Sequence, residues 1–354
     1  MNRMKELLPL VAAALLATAA NPDVATGQAV RVKGVDSLDV RANIQAQFNT
    51  TSVDDEPSSE WLMRRARIGL AAHAAGWIYA FVEGDFGRGR PRLTDGFVRL
   101  DFAPFFRLRA GQYKMPFDAL ELVSSRELLV VERDGTPRGA GGVTPNGLLN
   151  DLGYSNRDIG AEWSGRFEPL TLTAGVFNGA GDNEAEDDDG KQLAARAEVE
   201  LGGTWSASGA WSGQRVSEPP DAENASWYNA FEVAVTGGEY AEPGWKALGQ
   251  IFFGDNFDPD LGGGDDASLV AAQGILAYHF PIYRTPYLIG WELVARLGWT
   301  DPDTDLDDDE AALWTGGVNV YHHRRVKTQA QVDVLEPAEG DAETAFRLMV
   351  VLGF

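Results

Sequence analysis

Apolar and polar residues alternate along much of the chain after residue 40. The alternation is clearest in the runs 40–48, 65–72 and 346–354. A period of two is the pattern of a β-strand whose two faces meet different surroundings. Repeated many times, in strands of about ten residues, it predicts an all-β fold with one surface facing lipid and the other facing a lumen. We therefore predict a transmembrane antiparallel β-barrel.

Sixteen strands are predicted, the first two near 40–48 and 61–73 and the last near 342–354. Links that follow even-numbered strands are mostly tight, whereas links that follow odd-numbered strands are mostly longer and acidic. Short turns on one rim and long loops on the other are typical of an outer-membrane barrel with both termini on the periplasmic side. An even number of strands also closes the barrel without exposing an edge to lipid.

The N-terminus has the three regions of an export signal. Arg3 and Lys5 precede the apolar run 7–20, and Ala17-Thr18-Ala19 is a small-x-small cleavage sequence. The run is shorter than the ~20 residues that usually span a bilayer as a helix. We predict a signal peptide at 1–20, cleaved near 19–28, and a single barrel domain at 29–354.

Composition excludes several functional classes. The chain has no Cys, which removes disulfides, cysteine nucleophiles and thiolate metal sites. Its net charge of −23 argues against a nucleic-acid partner, which would require a basic surface. No serine–histidine arrangement marks a catalytic site, so we predict no enzyme activity and no cofactor. An exported soluble β-rich carbohydrate-binding protein remains the alternative from another class.

Six segments, taken in order, resemble the phosphate-selective porin O and P family. They are Arg64–Leu70 (RRARIGL), Leu108–Phe117 (LRAGQYKMPF), Ser124–Glu132 (SSRELLVVE), Asn156–Gly160 (NRDIG), Gly175–Gly179 (GVFNG) and Gly290–Arg296 (GWELVAR). The resemblance implies a sixteen-stranded outer-membrane porin, commonly a homotrimer, that passes small anions such as phosphate by passive diffusion.

The link between the fifth and sixth strands, about 114–156, is the longest. A loop of ~40 residues in a compact domain indicates a function. The resemblance implies that this third long loop folds into the lumen and narrows it. The loop contains Lys114, Arg126 and Arg133, interspersed with carboxylates.

Strand phase predicts which basic residues face the lumen. An Arg facing lipid at mid-membrane would cost about 2–4 kcal/mol, so mid-strand arginines are assigned inward. The predicted pore constriction comprises Arg65, Arg67, Arg107, Arg109, Lys114, Arg126 and Arg133. The predicted pore wall comprises Arg99, Arg196, Arg296, Lys327 and Arg347. Carboxylates share this face. A general or cation-tolerant diffusion porin is therefore the alternative to an anion-selective one.

Negative charge is concentrated in segments between the strands. The windows 54–56, 182–189, 218–223, 255–266 and 301–310 contain 24 carboxylates and no Lys or Arg, and without them the net charge would be +1. Hard divalent cations bind carboxylate oxygens. We therefore predict that such cations bridge these segments to lipopolysaccharide and outer-membrane lipid. Asp301, Asp303 and Asp305 are a weaker candidate for a Ca²⁺ site.

Overall fold

A computed structural model describes residues 34–53, 56–133, 147–185, 190–216, 226–264, 267–283 and 285–354. The predicted signal peptide at 1–20 and its cleavage region lie outside these residues.

Sixteen antiparallel strands form one closed barrel, as predicted. Each strand pairs with its sequence neighbours, and β1 closes the sheet by pairing with β16. The strands are β1 (Ser37–Val53), β2 (Glu56–Ala74), β3 (Ile78–Asp85), β4 (Arg92–Ala103), β5 (Phe106–Lys114), β6 (Arg157–Phe167), β7 (Leu170–Phe177), β8 (Gln192–Gly202), β9 (Trp205–Val216), β10 (Ser226–Gly237), β11 (Gly244–Asp255), β12 (Ser268–Pro281), β13 (Gly290–Asp301), β14 (Ala311–His323), β15 (Val326–Pro337) and β16 (Glu343–Gly353).

Helical structure is limited to short pieces in the connections. Helices α1 (Ala119–Leu122) and α2 (Leu148–Asp151) both lie between β5 and β6. Two 3₁₀ turns, Gly87–Gly89 and Pro259–Leu261, lie in other connections. Among the described residues, no helix has the length and apolarity needed to cross a bilayer.

The two faces of the barrel differ as the alternation predicts. On the outer face of β2, Ile68 and Leu70 are 56% and 42% exposed, which leaves their side chains free to contact lipid. Arg65 and Arg67 point the other way and are buried. The same division continues around the sheet, because every strand pair keeps the inward residues opposite one another. The inner face therefore carries the charged side chains.

Loop length mostly follows strand parity, and the first hairpin departs from it most clearly. The predicted long link between the first two strands is wrong, because β1 and β2 stay paired as far as Val53 and Glu56. Two features extend this hairpin: the run 50–53 is rich in β-branched residues, which favour strands, and the Thr51 and Ser58 hydroxyls hydrogen-bond across it at 2.6 Å.

The connection between β5 and β6 is bound to inner-face side chains on many strands. Its backbone N–H groups donate to Glu232 on β10, Gln250 on β11 and Gln331 on β15. Gln45 of β1 donates to the Ser125 carbonyl of the same connection. Apolar side chains of the connection pack on the inner face of β10–β13, forming two clusters with Phe117, Leu120, Leu128, Val130, Leu148, Leu149, Ala234, Leu248, Phe252 and Ile275 among their members.

Candidate functional site

A β-bulge in β2 turns two consecutive arginines inward. Gln45 pairs with Arg65, but its neighbour Ala46 pairs with Met63, so Arg64 is the extra residue. A bulge resets the alternation of a strand. The Arg64 and Arg65 side chains consequently both lie on the inner face, and the exposed fraction of Arg64 is only 10%. Strict alternation predicts only Arg65 there.

These arginines line a polar cavity of about 260 Å³ between β2 and the β5–β6 connection. Six of the lining side chains are arginines and three are carboxylates. The arginines are Arg64, Arg65, Arg67, Arg92, Arg133 and Arg157, and the carboxylates are Asp118, Glu121 and Asp182. Guanidinium groups are permanently charged and carry donors suited to phosphate and carboxylate.

Arg65 differs from its neighbours because no described carboxylate lies within ion-pair distance of it. The residue is 3% exposed, and its Nη1 donates to the Gln45 side-chain oxygen at 2.6 Å. Its Nε has no hydrogen-bond partner among the described residues. A buried, unpaired cation is unfavourable for the empty site and favours a bound anion.

Most other predicted pore residues are paired with carboxylates. The short pairs join Arg67 to Asp85 (2.8 Å), Arg99 to Asp101 (2.8 Å), Arg109 to Glu162 (2.9 Å), Arg196 to Glu232 (3.0 Å) and Arg347 to Asp333 (2.7 Å). Longer pairs join Lys114 to Glu121 (3.3 Å), Arg296 to Asp333 (3.3 Å) and Arg107 to Asp101 (3.7 Å). Much of the inner positive charge is therefore locally compensated.

The predicted constriction residues do not form one group. Arg65, Arg67 and Arg133 line the cavity, and Lys114 reaches it through Glu121. Arg107 and Arg109 lie near the turn that joins β4 and β5. Arg126 pairs with its neighbour Glu127, and its Cδ lies 3.2 Å from the position of a Cβ on Gly353. Arg126 is thus beside the end of β16.

Lys327 has a different role from that of a free pore cation. Its ammonium donates to the Leu128 carbonyl of the β5–β6 connection, where the neighbouring Gln329 also donates. It is fully buried.

A model of the phosphate-selective porin O and P family matches residues 38–242, more than half of the chain. The chain belongs to this family. The assignment agrees with the closed sixteen-stranded barrel, and it makes the protein an outer-membrane porin. The family and the fold are those of channel proteins.

Solved porin structures share the fold at low sequence identity. The anion-selective porin from Comamonas acidovorans is 13% identical, with a TM-score of 0.64, and the match covers 90% of this chain and 99% of that one. The outer membrane channel DcaP of Acinetobacter baumannii is 12% identical, with a TM-score of 0.62 and coverage of 92% and 99%. OmpT of Vibrio cholerae, in a trimer form, is 11% identical, with a TM-score of 0.60 and coverage of 90% and 99%. No curated protein matches this porin by sequence.

Two carboxylates of the porin's cavity have opposite electrostatic environments. Burial, together with Glu232 and Glu121, raises the pKa of Asp118 to about 7. Burial also opposes ionisation of Glu121, but Arg133, Lys114 and Arg157 outweigh it and hold that pKa at about 2. Glu121 is therefore charged at neutral pH, and Asp118 titrates near neutrality.

Anion preference should rise as the pH falls from 8 to 6. A single group with a pKa of about 7 changes from mostly ionised to mostly protonated over this range, which removes one negative charge from the cavity. We expect about a twofold increase in anion over cation permeability, measured by reversal potential in a KCl gradient. Since the folded pKa lies above the ordinary Asp value of ~3.9, this group lowers stability as pH rises from about 4 to 7.

Asp118→Asn is the matched control for this titration. Its side-chain oxygen can still accept from the Leu120 and Glu121 N–H groups and from Gln250. Asn also tolerates the positive φ of 64° at this position. The variant should hold the pH 6 selectivity at both pH values, and an unchanged pH response in it would contradict the assignment to Asp118.

Replacing Arg109 should shift the porin toward cations. Arg109→Ala would remove one cation and leave Glu162, whose side chain is 5% exposed, without its partner. We expect a two- to threefold fall in anion preference, about 0.4–0.7 kcal/mol. The double variant Arg109→Ala/Glu162→Gln should recover most of the loss in the same reversal-potential measurement. Equal losses in the single and double variants would show that the pair does not act on permeating ions.

The candidate Ca²⁺ site is not supported. Among the described residues, no group of three or more acidic or histidine side chains is arranged to hold a metal ion. Asp303 instead accepts from the Asp305 N–H at 3.2 Å, and Asp309 accepts from the Asp303 N–H at 3.1 Å. The aspartates serve as acceptors within a turn, a common use of this residue type.

Sequence reasoning missed three arginines of the cavity and one on the wall. Arg92 is the first residue of β4. Strict alternation without the bulge places Arg64 on the outer face, and Arg157 lies at the junction of the long connection with β6. Arg41 faces inward on β1, opposite Gly69. Its alternation with Val40 and Ala42 was the signal that could have found it.

Proposed function

We propose that this porin passes small anions, inorganic phosphate among them, by passive diffusion without any catalytic step. The cavity between β2 and the β5–β6 connection is the proposed selectivity site. In this proposal the connection narrows the lumen, and permeating anions pass the arginine-lined surface.

The unpaired Arg65 guanidinium is the observation that carries the proposal. Six arginines and three carboxylates line the cavity, and Asp118 is partly protonated near neutral pH. The other arginines have carboxylate partners that reduce their field. Arg65 has none among the described residues, so its charge is available to a permeating ion. One structural neighbour is the anion-selective porin from Comamonas acidovorans, which agrees with this selectivity.

A general or cation-tolerant diffusion porin is the second candidate, and the ion pairs favour it. The pairs of Arg99 with Asp101 and Arg109 with Glu162 leave little net charge on the wall of β4–β6. The acidic segments 182–189 and 301–310 add a negative field that would repel anions over about 8 Å in physiological salt.

The proposed assembly is a homotrimer in the outer membrane. A trimer form among the structural neighbours supports it. We further propose that residues 1–20 direct export, that 29–354 form one domain, and that the acidic segments bind lipopolysaccharide through divalent cations, which carboxylate oxygens favour.

The test is the reversal potential of the purified porin in a planar bilayer across a KCl gradient, with and without phosphate. Anion preference together with a phosphate-dependent decrease in chloride current is the expected result. Cation preference would overturn the anion proposal and leave the general porin. Anion preference without any effect of phosphate would restrict the proposal to a channel that prefers anions in general and has no specificity for phosphate.

A further inference from the structure

Apolar rings lie on the lumen face of β3–β5, where a porin wall is ordinarily polar. Phe81 and Phe97 are directly opposite each other in register, with ring centroids 5.9 Å apart. Tyr79 and Tyr113 extend this pair, each with its centroid within 6 Å of the Phe97 centroid. Phe81 and Phe97 are half-buried, so part of each ring is open to the lumen.

The Phe81 ring lies along the wall. A Cβ built on Gly69 of the neighbouring strand would be 3.0 Å from Cε2 of this ring. Covering a glycine on the adjacent strand is a structural role that aromatic rings commonly have in sheets. It explains one contact of the ring and leaves the rest of its surface available.

A guanidinium group stands at each end of the phenylalanine pair. The Arg41 Cζ lies 5.2 Å from the Phe81 centroid, and the Arg109 Cζ lies 5.4 Å from the Phe97 centroid. Arg41 is exposed and has no ion pair among the described residues. Two cations therefore bracket a flat apolar surface.

The apolar clusters formed by the β5–β6 connection lie mainly on the opposite wall. The two larger ones contain inner-face residues of β10–β13, such as Leu248 and Ile275, and include neither Phe81 nor Phe97 among their described members. A smaller cluster of Tyr113, Met115, Phe177 and Ala194 packs against Phe97, which stays partly exposed. Inorganic anions gain nothing from an apolar ring face, so a selectivity for phosphate alone does not account for this surface. Recognition sites for organic molecules combine apolar walls with a few charged groups in this way.

We propose that the Phe81–Phe97 wall binds aromatic carboxylates in transit, with Arg41, unpaired among the described residues, contacting the carboxylate and the rings contacting the apolar body. This inference rests on the proposed anion channel and specifies a class of solute for it. The affinity comes from contacts of the solute's ring with the phenylalanine rings and with a guanidinium group.

The experiment compares block of the chloride current by benzoate and by acetate, in the full-length purified porin in planar bilayers at pH 7.5. We expect half-block by benzoate at a concentration about tenfold lower than by acetate, in line with one ring–ring or ring–cation contact. The double variant Phe81→Leu/Phe97→Leu should reduce this ratio to about twofold. Its block by acetate and its KCl reversal potential should not change.

The matched control is Val82→Ala/Val98→Ala, which alters the next residues on the same two strands. Both valines are 47% exposed on the outer face, so the benzoate preference should persist. Equal block by benzoate and acetate in a wild-type channel that prefers anions would overturn this inference alone. Cation preference of the wild type in KCl would overturn the proposed function. Retention of the tenfold ratio in the leucine variant would show that the rings are not the binding surface.

Discussion

Replacing Arg65 by glutamine should abolish most of the anion preference of this porin. The variant loses the cavity arginine that has no carboxylate partner among the described residues, and it keeps a polar side chain next to Gln45. Without this charge, we expect phosphate to block the chloride current about tenfold less effectively, a difference of ~1.4 kcal/mol in binding. The measurements are phosphate titrations and reversal potentials in a planar bilayer. Arg65→Lys should retain an intermediate effect, because it keeps the charge but loses the planar donors.

Arg166→Gln is the control for a change of one unit of charge. Arg166 is 46% exposed, and its partners Glu168 and Glu200 are both well exposed, so its loss should leave selectivity unchanged. The free energy of unfolding distinguishes a functional role of Arg65 from a structural one. Removing an unpaired buried charge should leave the unfolding free energy unchanged or raise it. A phosphate block that survives Arg65→Gln would remove this residue from the selectivity site.

Replacing Asp333 by alanine should destabilise the barrel more than any other change considered. This carboxylate is 1% exposed and pairs with Arg347 at 2.7 Å and Arg296 at 3.3 Å. It also accepts from the Thr315 hydroxyl at 2.5 Å. Removing it takes the carboxylate away from the buried Arg347 and removes one partner of the buried Arg296, a change that ordinarily costs about 3–5 kcal/mol. The free energy of unfolding, measured by denaturant titration of the detergent-folded porin, should fall by that amount.

The effect should extend to the β5–β6 connection. Arg296 also donates to the Glu132 carbonyl at 2.9 Å, so a displaced Arg296 weakens the attachment of the connection to β13. Increased current noise should accompany the loss of stability. Val332→Ala is the matched control, because Val332 is 41% exposed on the outer face beside Asp333. Similar unfolding free energies for the two variants would contradict the pairing argument.

Local alternation predicts the sheet well because the environment of a barrel wall has the same period. Ile68 and Leu70 must face outward, and that requirement assigns Arg67 to the lumen without knowledge of any contact. The number of strands and the parity of the loops follow from the same pattern. The prediction fails at Arg64, since a bulge is a local change of register that composition does not mark.

The alternation does not predict the ion-pair partners of the charged residues on the inner face. The pairs of Arg109 with Glu162 and of Arg196 with Glu232 depend on which residues lie opposite in register or across the lumen. An error of one residue in strand register changes every such pair. The resemblance to a family implies a role for the long connection. It does not show that Arg126 lies beside the end of β16 or that Arg65 has no carboxylate partner among the residues that the structure describes.

The pairing of β1 with β16 also constrains when the molecule can form. Asn43 lies opposite Gly353, so β1 can complete its pairing only after β16 has been synthesised. Contacts this distant in the chain carry a large loop-closure entropy and form slowly. Any nascent chain that lacks residues 343–353 would expose two unpaired edges, on β1 and β15, which invite aggregation. We therefore expect the closed barrel to form only after the final strand is available.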